Sequence, residues 1–142
     1  MDEEVFRVPR TLYRAMLPDA HDGLPHVGSE SNMLGVRPGV DIRTSQAGPG
    51  RGGLSVTVDV LQKMNVGVRP KAFGGMNNKT AMFELASIIL DAHPMLRLGP
   101  IRNCHALIEA ASICAIEDFQ LHLAATRLGW SRTQLPFGAL GR

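Results

Sequence analysis

Two stretches of this chain alternate apolar and polar residues with a period of two. In 54–59, Leu54, Val56 and Val58 fall on one face and Ser55, Thr57 and Asp59 on the other, as in a half-buried strand. From 104 to 110, Cys104, Ala106, Ile108 and Ala110 point inward while His105, Leu107 and Glu109 share the opposite face, so a late strand carries two ionisable groups on one side. Residues 11–16, Thr-Leu-Tyr-Arg-Ala-Met, have strand-like composition and are closed by Pro18 and Asp19. The apolar run 81–90, interrupted by Glu84 and Ser87, reads as a strand followed by a turn of helix. The spacing changes after that. Ile116, Phe119, Leu123 and Thr126 recur at helical intervals, with Glu117 and Asp118 in the first turn, Arg127 in the last and Gly129 as the stop. Trp130, just past that glycine, is placed to fold back on the apolar stripe.

Between Asp19 and Gly53 the breakers Asp22-Gly23, Leu24-Pro25, Arg37-Pro38-Gly39 and Gly48-Pro49-Gly50 rule out a long helix and predict an irregular loop region. Connections of that length inside one domain are often functional. The elements together predict one α+β domain over 11–132, preceded by an extension (1–10) and followed by a tail (133–142), with fraying expected from Ser131 to Arg142.

Composition narrows the classes. The chain has 142 residues, 44% hydrophobic and 20% charged, which suits one folded domain and not a disordered segment. With only 5% aromatic residues and seven methionines, aliphatic side chains must fill most of the core. Cys104 and Cys114 are too few for a disulfide framework and suit small buried thiols. The acidic opening Met1-Asp2-Glu3-Glu4 and the lack of an apolar run near about 18 residues predict neither a cleavable signal nor a membrane span. Residues 32–103 hold nine Lys or Arg against four acids, a net of +5 within a chain of formal charge +2. A basic middle suits a phosphate-bearing cofactor or an acidic partner. Without a cluster of five or more basic residues it argues against nucleic acid.

Several familiar chemistries lack their residues. The segment 48–55 matches G-x-G-x-x-G on paper, but a β-branched strand follows it where a phosphate loop needs a helix N-terminus, so it reads as a flexible turn. His105 and Glu109 have three residues between them and no C-x-x-C pair nearby, so no zinc pattern forms and no metal is expected. No G-x-S-x-G surrounds a serine. What remains is Arg14, Ser55 and Glu109: a cation, a hydroxyl and a carboxylate, each on a predicted strand and on the polar side of its alternation.

The chain resembles the type VI secretion exported toxins that arrest growth, a family with an ADP-ribosyltransferase-like fold that needs NAD to act. The blocks carrying the likeness are Leu12-Tyr13-Arg14-Ala15; Leu34-Gly35-Val36-Arg37-Pro38-Gly39 with Asp41-Ile42; Gly52-Gly53-Leu54-Ser55-Val56; and His105 with Ile108-Glu109, running into Glu117-Asp118-Phe119-Gln120, Ala125-Thr126-Arg127 and Trp130. The chain departs from the family at Ala110, where a proline is common, and near Cys114, where a methionine is expected.

The resemblance implies an ADP-ribosyltransferase-like mixed sheet with a split β core, a C-terminal amphipathic helix and a long irregular loop region. It implies NAD as substrate, with Arg14 gripping phosphate, Ser55 and Thr57 orienting the ribose, Glu109 stabilising the developing cation, His105 assisting, and Tyr13 and Phe83 stacking on nicotinamide. It further implies a cognate immunity protein, a secretion carrier, and delivery from the producer's cytoplasm to that of a competing cell. NAD hydrolysis on the same fold and a non-catalytic protein-interaction module are the alternatives.

Overall fold

A computed structural model describes residues 9–135; the acidic opening and the end of the tail lie outside them. The fold is α+β. Strands β1 (Thr11–Met16), β2 (Gln46–Ala47), β3 (Leu54–Val58), β4 (Ala81–Ala86), β5 (Leu96–Leu98), β6 (His105–Ala110) and β7 (Cys114–Ala115) precede helix α1 (Ile116–Ala124), and β8 (Ser131–Arg132) follows it. Six of them form one sheet in the order β5-β6-β3-β1-β4-β8, and β2 pairs with β7 apart from it. Every pairing between these strands is antiparallel, where a mixed sheet was expected. Among the described residues no helix is long and apolar enough to cross a membrane.

The alternation of β1, β3 and β6 does what the sequence implies. Leu12, Met16, Leu54, Val56, Val58, Ala106 and Ile108 join Phe83 and Leu85 on one face, and all are buried. Phe119 and Leu123 of α1 belong to the same core, together with Trp130, which is 1% exposed and donates from Nε1 to the Thr126 hydroxyl at 3.0 Å. The region 19–53 is irregular but anchored, with Leu34, Val36 and Ile42 fully buried. The side chain of Gln120 accepts from Val36 N at 2.9 Å and donates to Val36 O at 2.7 Å, pairing with the loop backbone as a strand would. Arg127 ties the same region down through Pro25 O and Asp22.

The cysteines depart from the sequence reading. Cys104 does not begin the last long strand. It and Asn103 have φ of 64° and 51° and form a two-residue turn closed by reciprocal bonds between Arg102 and His105. Both cysteines are free thiols and only half-buried. The sheet is also split. β1 and β3 pair only at Leu12↔Val58 and Tyr13↔Thr57; beyond these, β1 pairs with β4 alone and β3 with β6 alone.

Candidate functional site

The register lines up polar residues across the sheet. His105 stands opposite Thr57, Thr57 opposite Tyr13, Tyr13 opposite Glu84, and Glu84 opposite Ser131. Opposed residues share a face, so five strands contribute one continuous polar row with neighbours about 5 Å apart. This is the face away from the main core. Ser55 lies on it one same-face step along β3 from Thr57, opposite Leu107, and Glu109 two such steps along β6 from His105, opposite Arg97. Of the expected residues, Tyr13, Ser55, Thr57, His105 and Glu109 therefore share one surface.

Ser55 and His105 are exposed, and Oγ lies 2.8 Å from Nε2. Thr57, between Tyr13 and His105 in the row, is buried. Glu109 is 4% exposed, although its strand position is polar. Its Oε2 accepts from the Gly50 amide at 3.2 Å. Oε1 is 3.1 Å from Arg97 Nε, an ion pair without the alignment of a hydrogen bond, so Oε1 is buried with no donor aimed at it. The glycine turn thus directs an amide at an anion after all, but the anion is the chain's own carboxylate. Gly53 lets this turn approach β6: a Cβ there would collide with the Ile108 carbonyl.

Arg14 does not join them. It alternates with Leu12 and Met16, so its side chain leaves the sheet on the core face. Its guanidinium donates to the carbonyls of Ser55, Ser31 and Met33, each at 2.9 Å, while Nε is buried without a partner among the described residues. The Ser55 carbonyl is the one a continued ladder would give to Ala15, so Arg14 props the split between β1 and β3 and fastens the loop to it. Burial pulls its pKa down to about 10, and the charge of nearby Asp41 opposes that shift. The expected phosphate clamp is corrected to a brace, because the donors that would grip phosphate already serve the backbone.

Phe83 is also corrected. It is fully buried in the core, with Arg132 stacked 5.8 Å from its ring centroid, and has no free face for nicotinamide. Tyr13 is accessible: with Leu61, Phe73, Glu84 and Thr133 it lines a cavity of about 730 Å³ on the polar-row side. Burial, then the charges of Glu84 and Asp59, push its phenol pKa up. A second cavity of about 940 Å³ involves Arg10, Ser87 and Arg97 near the other sheet edge. Neither is lined by Arg14, Ser55, His105 or Glu109.

Sequence reasoning passed over two residues. Glu84 is half-buried at the cavity and makes no ion pair among the described residues. Its signal was present: Phe83 and Leu85 are core residues, so the intervening Glu84 had to face the other way. Arg51 is the second, a cation in the glycine turn with no ion pair among the described residues. No group of three or more potential metal ligands occurs among the described residues. No family model, curated protein or solved structure matches the chain.

Proposed function

We propose that the chain is an NAD-dependent ADP-ribosyltransferase-like toxin that modifies an intracellular acceptor in competing cells and is neutralised at home by a cognate immunity protein. The observation that carries this reading is the shared sheet face of the Ser55–His105 pair and Glu109. The split between β1 and β3 supports the split-core expectation. In the reaction the bond from ribose C1′ to nicotinamide breaks, its electron pair leaves with the nicotinamide, and an acceptor atom bonds to C1′ as it loses a proton. The transition state is cationic at the ribose, so a carboxylate is the group the site needs most. Glu109 is a carboxylate this face offers, and its buried Oε1 has no aligned hydrogen-bond donor among the described residues. Ser55, held by His105, orients the sugar, while Arg51 in the adjoining turn, a cation with no ion pair among the described residues, serves the diphosphate. Arg14 acts indirectly, by fixing β3 beside β1. The net charge of +5 over 32–103 suits both the diphosphate and an acidic immunity protein.

The test is release of nicotinamide by the purified chain, with labelled NAD and target-cell extract. Ser55→Ala and Glu109→Gln should each lower release about 10²–10³-fold while circular dichroism stays native. Wild-type protein that releases no nicotinamide, or a Glu109→Gln variant as active as wild type, would overturn the reading. NAD hydrolysis is the second reading, favoured by the exposure of the Ser55–His105 pair to water. It gives nicotinamide release without labelled extract protein.

A further inference from the structure

From the cavity over Tyr13 and Glu84 we propose a second binding site, for a planar delocalised cation of the guanidinium class such as an arginine side chain presented by a partner protein. The proposal needs neither NAD nor Ser55, so it stands apart from the transfer reading.

Three features of the lining point to this chemistry. Tyr13 and Phe73 bring two aromatic rings to one cavity, and ring faces attract cations, guanidinium among them. Glu84 adds a carboxylate with no ion pair among the described residues, the partner a guanidinium binds through two parallel hydrogen bonds. The Thr133 hydroxyl at the lining has no hydrogen-bond partner among the described residues, and a hydroxyl can accept a further N–H. Arg132, the cation in the lining, makes no ion pair with Glu84 among the described residues; its guanidinium lies over Phe83, a core residue. Burial first, then the charges of Glu84 and Asp59, raise the pKa of Tyr13, in keeping with a carboxylate beside the cavity. The volume of about 730 Å³ admits a side chain with part of its backbone.

The chemistry distinguishes itself from neutral hydrogen bonding. L-citrulline has the planar shape and most of the donors of arginine but no charge. In an NMR shift titration of the full chain, L-arginine amide should move the resonances of Tyr13, 61–73 and Glu84. L-citrulline amide should bind roughly tenfold or more weakly, the loss expected when charge-assisted hydrogen bonds become neutral ones. Glu84→Gln should remove most of that difference, and Phe73→Leu should weaken arginine amide without restoring parity. Because Glu84 is half-buried, its amide isostere is expected to keep the native spectrum, which the same titration verifies. Equal binding of the two amides, unchanged arginine binding by Glu84→Gln, or shifts confined to other residues would overturn the site.

Discussion

The two ends of the polar row treat their carboxylates in opposite ways. At the β6 end Glu109 is enclosed, with Arg97 and the Gly50 amide committed to it and Ser55 committed to His105. At the β4 end Glu84 faces a cavity with aromatic neighbours and no counter-charge engaged. A buried carboxylate must bring its partners with it, because its desolvation is costly; a half-buried one can wait for a ligand. The same residue type thus has local partners in one place and no counter-charge in the other, and composition alone does not tell them apart.

The sharpest way to break this contrast is Gly53→Ala. The new Cβ meets the Ile108 carbonyl, which is backbone and cannot step aside, so the turn must lift away from β6 and Glu109. A loss of about 3 kcal/mol or more in urea denaturation is expected, in line with overpacking at fixed backbone. Next in size is a matched pair of isosteres. Glu109→Gln should cost about 2 kcal/mol, because Arg97 and the buried turn lose a charged partner, whereas Glu84→Gln should stay within about 0.5 kcal/mol of wild type. Equal costs would erase the distinction. The smallest effect has the opposite sign. Cys104 sits at φ 64° in the turn that delivers His105, and Cys104→Gly should raise stability by about 1 kcal/mol, with the Ser55–His105 contact kept.

What could be read from the residues follows from periodicity. The strands at 11–16 and 54–58 and the helix stripe of Phe119, Leu123 and Trp130 were legible because alternation and a glycine stop are local signals. The split between β1 and β3 was not, because register between distant strands leaves no mark in either one. Arg14 shows how near the answer lay: Leu12 and Met16 flank it at period two, which already assigns it to the core face. Phe83 and Glu84 were misjudged for the same reason, since the β4 alternation sends the aromatic inward and the acid outward. Strands β5, β7 and β8, of two or three residues, are too short to carry any period.

The central position of β1 bears on how the molecule is made. Of the described strands this one leaves the ribosome before the others, yet its partners begin only at Leu54 and Ala81, and the outermost strand of that side closes at Arg132. Such distant pairings form slowly. During synthesis the five residues of the polar row emerge as separate fragments, and they become one surface only when nearly the entire described chain is available to fold.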